Sequence, residues 1–219
     1  MARLLFEKTG RAVWISHLDL MRLFQRAFQR AGLSLKHTQG FNPRPSVSIA
    51  LPLSVGIYSQ CELLDFELDG QVPSMEEIRD RLNRSLVEGV RILEVYENGR
   101  KLKDLSLLSC QIRLEYDNGS ASEAGNEIDA LFSKPSLFVE KRSKNGPTEQ
   151  DIIPLIKKLK VSVTEAQEVT LHALICCQNP ALNPMQLAAA IERYIPQFKP
   201  DHVVVRRLDI FDANQEQFR

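Results

Sequence analysis

The chain has 219 residues, in which 28 Lys and Arg balance 28 Asp and Glu, and 43% of the residues are hydrophobic. This length allows one large domain or two small ones, and the composition is typical of globular proteins rather than of disordered or fibrous ones. No apolar run is long enough to cross a membrane, and the N-terminal residues favour a strand over a signal peptide. The sequence therefore predicts a cytoplasmic protein without a membrane partner.

A predicted strand at Arg3–Lys8 is followed by an amphipathic helix at residues 17–31. At about 100° per residue, the apolar residues of this helix share one face. They are Leu20, Phe24, Ala27, Phe28 and Ala31. Arg22, Arg26 and Arg30 follow one another at i, i+4 on the other face. Ser16 is suited to cap the helix at its start, and Gly32 is suited to end it.

Positive charge is concentrated near the N-terminus. Residues 1–50 contain eight basic residues and only two acidic ones, Glu7 and Asp19. The basic ones are Arg3, Lys8, Arg11, Arg22, Arg26, Arg30, Lys36 and Arg44. Arginines at i, i+4 repel each other, so helix stability does not explain them. Segregated charge of this kind indicates phosphate binding, most plausibly RNA, although an acidic protein partner or a solvated helix face would also account for it.

The loop after the helix, Gly40–Pro45, combines one permissive residue with two rigid ones. Gly40 can adopt a positive φ, whereas Pro43 and Pro45 fix their own φ and extend the residues before them. The loop could present Phe41 to stack on a base and Arg44 to bind a phosphate; alternatively, Phe41 fills the core. The predicted anion-binding residues are Arg22, Arg26, Arg30, Phe41, Asn42 and Arg44.

His17 is the weak candidate for catalysis. It falls in the first helical turn, where the helix dipole disfavours its protonated form, so it could act as a neutral general base. The alternative is a half-buried histidine that is hydrogen-bonded at the helix start. No partner base or nucleophile is apparent, so the catalytic residues are unknown.

Cysteine spacing predicts neither a metal site nor a cofactor. Cys61, Cys110, Cys176 and Cys177 form no C-x-x-C pair, and three of them lie in apolar, strand-like segments. Such cysteines are more often buried thiols than metal ligands. A Gly-rich phosphate loop is also absent from the sequence.

The first half of the chain alternates strands and helices as β-α-β-β-α-β. After the first helix come strands at about 46–52 and 61–69, a helix at 75–87 and a strand at Val90–Tyr96. Glu62 falls on the apolar side of its strand, so either the strand end is exposed or the carboxylate is a cleft acid. The order of elements is that of a ferredoxin-like domain.

The second half repeats this order with an extra strand or hairpin. Strands are predicted at 107–116, 137–141, 151–163, 169–178 and 202–211, and helices at 122–133 and 184–195, with a polar breaker at 143–147. Met75, Ile78, Leu82 and Leu86 match Pro184, Leu187, Ile191 and Ile195 at a constant spacing, as in an internal repeat. We therefore predict an α+β protein with two tandem ferredoxin-like domains with antiparallel sheets, at residues 1–98 and 104–219.

Several of these motifs together resemble the radical-SAM-linked protein family of unknown function. They are Ser16–Asp19, the three helix arginines, Gly40–Pro45, Leu51–Leu53, Gly56, Glu62 and Asp65. The resemblance extends over most of the chain, including residues 151–155 and Arg206–Arg207. It implies an accessory protein whose radical SAM partner carries the iron–sulfur cluster on a separate polypeptide. Family members often lie near genes for RNA processing and ribosome function, which implies RNA or a ribosome-related complex as substrate. The resemblance carries no catalytic residues with it.

Three functional hypotheses follow. The first is a non-catalytic module that presents RNA to a radical SAM partner. The second is an RNA-cleaving or RNA-modifying enzyme that uses His17, because metal-independent CRISPR RNA endonucleases have tandem ferredoxin-like folds; against this, the chain lacks their glycine-rich C-terminal loop. The third is a protein–protein scaffold.

Overall fold

The computed structural model describes residues 1–143 and 146–219, and the chain divides into two compact units. The first comprises Met1–Asp104 with Arg219, and the second comprises Leu105–Phe218. The described residues contain four α-helices, and the strands within each unit pair antiparallel. The prediction of an α+β protein with antiparallel sheets is therefore confirmed.

Within the described residues, every helix is too short or too polar to span a bilayer.

The first unit has two helices and four strands. They are β1 (Ala2–Lys8), α1 (His17–Arg30), β2 (Val47–Ile49), β3 (Tyr58–Phe66), α2 (Met75–Asn83) and β4 (Val90–Glu97). Strand β1 pairs with both β3 and β4, and the short β2 pairs with the other edge of β3. The strand order is therefore β4-β1-β3-β2.

Aromatic contacts hold α1 against this sheet. Phe24 packs edge-on against Phe6 with ring centroids 4.8 Å apart, and Phe28 packs against Phe66 at 5.0 Å. Each buried phenylalanine contributes roughly 1.5–3 kcal/mol relative to exposure. The predicted core face of α1 is confirmed, except that Ala31 is half-exposed because it is the C-cap residue.

Several boundaries in the first unit differ from the sequence prediction: β2 ends at Ile49 rather than at 52, and β3 ends at Phe66 rather than at 69. Helix α2 ends at Asn83 rather than at 87, because the Asn83 side-chain amide accepts from Ile92 N at 2.8 Å and donates to Ile92 O at 2.9 Å. Strand β3 starts at Tyr58, three residues before the apolar alternation begins. At the end of α2 and at the start of β3, polar residues form bonds with distant segments. A local hydrophobic pattern does not predict such bonds.

The second unit has the same alternation with an added hairpin. Its elements are β5 (Leu105–Glu115), α3 (Ala121–Phe132), β6 (Phe138–Ser143), β7 (Gly146–Asp151), β8 (Ile156–Glu165), β9 (Glu168–Cys176), α4 (Met185–Tyr194) and β10 (His202–Asp212). The main strands follow the order β10-β5-β9-β8, whereas β6 and β7 pair with each other.

The strand predicted at 151–163 is wrong as a single element. Strand β7 ends at Asp151, a 3-10 turn occupies Ile153–Leu155, and β8 begins at Ile156. Pro154 lies inside that turn, where its fixed φ is tolerated. Strand β7 was missed because its sequence, GPTEQD, is polar; the predicted breaker at 143–147 lies partly outside the described residues.

A buried ion pair joins the first and third strands of the first unit. Arg3 donates to both carboxylate oxygens of Asp65, at 2.6 and 3.0 Å, and to Arg100 O at 2.8 Å. Both side chains are only 5% exposed. Burial alone would lower the pKa of Arg3, but the hydrogen bonds and charge of Asp65 outweigh it, so the net pKa lies above its ordinary value. The guanidinium therefore stays charged, and the stability of the folded protein depends on Asp65 as its counter-charge.

Replacing Asp65 with Asn should destabilise the protein by about 3–5 kcal/mol, because it leaves the Arg3 charge buried without its counter-charge. Urea unfolding followed by circular dichroism measures the loss. The double variant Arg3→Met with Asp65→Leu removes both charges and should regain most of the stability. Equal losses for the single and the double variant would contradict this account of the pair.

Candidate functional site

Helix α1 begins with a network that already occupies one of its arginines. The Ser16 side chain accepts from Asp19 N at 3.2 Å, which confirms it as the N-cap, and its hydroxyl donates to Asp19 Oδ2 at 2.7 Å. Arg22 donates to Asp19 Oδ1 at 3.0 Å. The hydrogen bond from Ser16, followed by that from Arg22, lowers the pKa of Asp19 below its ordinary value. This first turn is thus locally neutral.

The other end of α1 is held by Arg81 of α2. Arg81 Nε donates to Ala31 O at 2.9 Å, and Arg81 Nη2 donates to Ala31 O and, at 3.2 Å, to Gly32 O. A guanidinium at this position neutralises the negative end of the helix dipole. Gly32 follows with φ +64°, which confirms it as the residue that ends the helix. Helix α1 therefore ends at a defined residue, and the chain changes direction at Gly32.

The loop at 40–45 is closed at its base by backbone pairing. His37 and Pro45 form a β-bridge, Thr38 N donates to Arg44 O at 2.8 Å, and Arg44 N donates to Thr38 Oγ1 at 3.0 Å. Gly40 has φ +138°, as the sequence predicts. Phe41 at the tip is completely exposed, so its ring does not fill the core.

A groove of about 540 Å³ lies between the C-terminal half of α1 and the segment that follows it. It is lined by Gln25, Arg26, Phe28, Gln29, Gly32, Leu33, Ser34, Leu35, His37 and Pro45. Phe28 and Leu33 make its floor apolar, whereas Arg26, the glutamines and His37 supply hydrogen-bonding groups. An apolar groove with a few polar groups is the usual form of a ligand site.

The structure separates the predicted arginines. Arg26 lines the groove and Arg44 lies next to its lining residue Pro45. Within the described residues, neither has an acidic side chain within 4.0 Å. Arg22 is paired with Asp19, and Arg30 donates to Ser85 O at 2.6 Å, beyond the end of α2. The predicted arginines placed at the groove are therefore Arg26 and Arg44, and Asn42, two residues before Arg44, is exposed.

Two of the eight basic residues counted near the N-terminus do not belong to any cationic surface. Arg3 is buried against Asp65, and Lys8 is buried with its Nζ donating to Ile15 O at 2.8 Å. The linear charge count overstates the surface because the partner of Arg3 is 62 residues away in the sequence.

His17 and Glu62 lie apart from the groove. His17 is half-buried, and its Nδ1 is buried without a hydrogen-bond partner in the described part of the chain. An imidazole whose second nitrogen is not oriented by a neighbour lacks a usual feature of a general base. Glu62 is buried and accepts from Ser59 Oγ at 2.7 Å. It therefore does not lie at an exposed strand end.

Sequence reasoning did not select several groove residues. Gln25, Gln29 and Ser34 carry no charge, and His37 lies in an irregular connection without a helical or strand period. The spacing of Gln25, Gln29 and Arg26 on one side of α1 was the available signal. Only the fold shows that the segment after Gly32 lies along the side of α1 that carries Gln25, Arg26 and Gln29.

The cysteines remain separate from the groove. Cys61 and Cys110 are buried, and Cys176 and Cys177 are half-buried. Burial raises the pKa of the Cys110 thiol to about 12, and the charge of Arg207 opposes this only in part. In residues 1–143 and 146–219, no three His, Cys, Asp or Glu side chains cluster to hold a metal.

Comparison with protein families identifies the chain. Residues 2–184 match the family described as "Uncharacterized protein conserved in bacteria (DUF2344)". The chain belongs to this family. The family description states no activity, and no curated protein matches the chain.

Solved structures show similarity of fold. A chain of the structure described as "Crystal Structure of a Cbf5-Nop10-Gar1 Complex" is similar with a TM-score of 0.50 and 8% identity, over 94% of this DUF2344 protein. Only 47% of that longer chain is covered, so our chain spans about half its length. An unknown protein from Galdieria sulphuraria matches over 94% of this chain and 96% of its own, with 11% identity and a TM-score of 0.27.

Replacing Gly32 with Ala should destabilise the first unit by about 1–2 kcal/mol from the positive φ alone. The added β-carbon would also lie 2.9 Å from Arg81 Nη2 and displace the cap of α1. Gly10→Ala is the matched control, because Gly10 has φ +53° with no atom within 4 Å of the new carbon. In thermal melting, the midpoint temperature should fall more for Gly32→Ala than for Gly10→Ala. Equal decreases would show that the Arg81 contact contributes nothing to stability.

Proposed function

We propose that this DUF2344 protein is a non-catalytic module that binds RNA through the face formed by Arg26, Phe41 and Arg44, and that it works with a radical SAM enzyme. The main observation is a groove lined by Arg26 and Pro45, joined to a loop that carries Arg44 and the completely exposed Phe41, with no acidic partner for either arginine in the described residues. Exposed aromatic rings are costly to keep in water and useful for stacking on bases.

Single-stranded RNA fits this surface best. A base can stack on the Phe41 ring, and neighbouring phosphates can pair with Arg44 and Arg26. The groove then offers amide groups of Gln25 and Gln29 for the edges of an unstacked base. Arginine suits this role because its planar guanidinium can bind two phosphate oxygens at once.

The radical SAM partner is proposed from the sequence motifs. Those motifs include Arg26 and Pro45, two of the residues that line the groove, and the loop that carries Phe41 and Arg44. We infer that the partner supplies the cluster chemistry and that the present chain supplies the substrate contact, in a cytoplasmic setting.

We also infer that each unit is a ferredoxin-like domain. In support, both units have β-α-β-β-α-β order, and their strands follow β4-β1-β3-β2 and β10-β5-β9-β8, the same order in each unit once the β6–β7 hairpin is set aside. The repeat seen in the sequence agrees, because Ile78 and Leu82 of α2 and Leu187 and Ile191 of α4 are all buried.

One observation favours the scaffold hypothesis as a second candidate. Trp14 and Leu18 are large apolar side chains that are 71% and 67% exposed, and both lie at or just before the start of α1. Exposed aromatic and aliphatic residues are typical of protein contacts. They are compatible with docking of a protein partner that leaves the groove free for RNA.

Replacing both Arg26 and Arg44 with Gln should weaken binding of a single-stranded RNA and lower the salt dependence. The slope of log affinity against log salt should fall by about 1.4, or roughly 0.7 for each phosphate that is no longer neutralised. Fluorescence anisotropy at several salt concentrations measures both quantities. Arg91→Gln, which removes an exposed arginine of β4, is the control and should change neither.

An unchanged slope in the double variant would refute the proposed RNA face. Gel analysis of the bound RNA distinguishes an RNA-cleaving enzyme from a non-catalytic module. Cleavage by the native chain that disappears in His17→Gln would favour the enzyme.

Replacing Phe41 with Ala should reduce RNA affinity by about 5- to 150-fold, the equivalent of about 1–3 kcal/mol for one stacked base. The salt slope should stay the same, because both arginines still neutralise their phosphates. Stability should change by less than about 0.5 kcal/mol, since the ring is completely exposed. Heparin has no bases, so its affinity should stay the same in Phe41→Ala. A parallel fall in heparin affinity would show that the variant changes the loop conformation and does not act through loss of stacking.

A further inference from the structure

A second pocket lies in the second unit, on the face of its sheet that is turned away from α3. Helix α3 covers one face, because a β-carbon at Gly125 would lie 2.7 Å from Val163 Cγ2 and 3.9 Å from Val169 Cγ2. Side chains alternate between faces along a strand, so His172, three residues after Val169, points to the opposite face. His172 is exposed there.

Strand register brings basic side chains together on this face. Lys160 of β8 lies opposite His172 of β9, and Lys158 lies opposite Leu174. Two residues along a strand span about 6.6 Å, and directly opposite residues on paired strands lie about 4.5–5.5 Å apart. Two lysines and a histidine are thus within reach of one small anion.

The pocket at this place has a volume of about 470 Å³, within the range of small-ligand sites. Besides the basic residues, Phe211 and Leu174 contribute apolar surface, and Ser109 and Gln215 contribute polar groups. It can therefore hold a charged group at Lys158, Lys160 and His172 and a flat, partly apolar body against Leu174 and Phe211.

The lysines of this pocket have no acidic partner among the described residues. No acidic residue lines it among those that the structure describes. Within residues 1–143 and 146–219, neither Lys158 nor Lys160 has a carboxylate within 4.0 Å. Asp209 of β10 lies opposite the lining residue Ser109 and accepts from Gln217 Nε2 at 2.7 Å, and Glu115 and Glu168, farther along the sheet, pair with Arg113 at 2.9 and 3.3 Å. Lys158 and Lys160 lie two residues apart on one strand, about 6.6 Å, where their charges repel each other, so sheet stability gives no reason for the pair.

We propose that this pocket is a second ligand site, which binds a phosphate monoester carried on a nucleoside-sized body. The two lysines match the two negative charges of the phosphate, and His172 adds a donor. Phe211 and Leu174 then contact the base. Such a group occurs in a free nucleoside monophosphate and at the 5′ end of an RNA, and the site recognises the chemistry that the two share. The proposal does not depend on the RNA face of the first unit.

Isothermal titration of the full chain with 5′-AMP, adenosine and inorganic phosphate tests the proposal. AMP should bind at least tenfold more tightly than adenosine and at least tenfold more tightly than phosphate, because only AMP fills both parts of the pocket. The double variant Lys158→Gln with Lys160→Gln should lose at least tenfold in AMP affinity. Lys157→Gln is the matched control on the same strand: Lys157 does not line the pocket, so AMP affinity should stay unchanged.

Short RNAs with a 5′-phosphate or a 5′-hydroxyl distinguish the two sources of the ligand. Measured in the Arg26→Gln, Arg44→Gln background, tighter binding of the 5′-phosphorylated RNA than of AMP assigns the site to RNA ends, and the reverse assigns it to free nucleotides. Circular dichroism checks that the lysine variant is folded. The proposal is overturned if that folded variant binds AMP as the native chain does, or if phosphate or adenosine alone binds as tightly as AMP. Failure of the first-unit proposal leaves these AMP results unchanged.

Discussion

Arg81 of α2 donates hydrogen bonds to the carbonyl groups of Ala31 and Gly32, just after the end of α1, and the position of the groove follows from that contact. The guanidinium neutralises the helix end while Gly32 adopts the positive φ that turns the chain back along the helix. Because the returning segment pairs His37 with Pro45 and Thr38 with Arg44, the exposed loop is held at its base by main-chain bonds and by the Thr38 hydroxyl. A ligand that binds there does not have to pay the full entropy of ordering the loop.

Electrostatics in the first unit depend on which basic side chains are satisfied internally. Arg3 is buried with Asp65, Lys8 is buried beside Ile15, and Arg22 is paired with Asp19. Beside the groove, the charge available to a ligand is therefore that of Arg26 and Arg44. One lies on a helix packed on the sheet by two aromatic contacts and the other follows a proline, so both backbones are constrained. A small number of well-placed cations can serve recognition better than a larger diffuse charge.

The two units use similar strand order to build different surfaces. In the first unit, the proposed binding groups come from a helix and the loop after it. In the second, Lys158, Lys160 and His172 come from neighbouring strands, which sets their spacing by strand register. Helical residues four apart and strand residues two apart place their side chains at comparable distances, so either framework can receive a phosphate.

The sequence by itself determined α1 with its Ser16 and Gly32 ends, the core face of Phe24 and Phe28, the alternation of strands and helices, and the conformation of Gly40, because each depends on neighbours a few residues away. Tertiary structure decided the rest. It paired Arg3 with Asp65 across 62 residues, drew Arg30 toward Ser85, and brought His37 and the glutamines of α1 into one groove. It also placed Lys160 opposite His172, a pairing that the sequence of the two strands does not predict. Local periodicity reports which face a residue occupies, whereas charge pairing and pocket formation depend on contacts between segments that are distant in the chain.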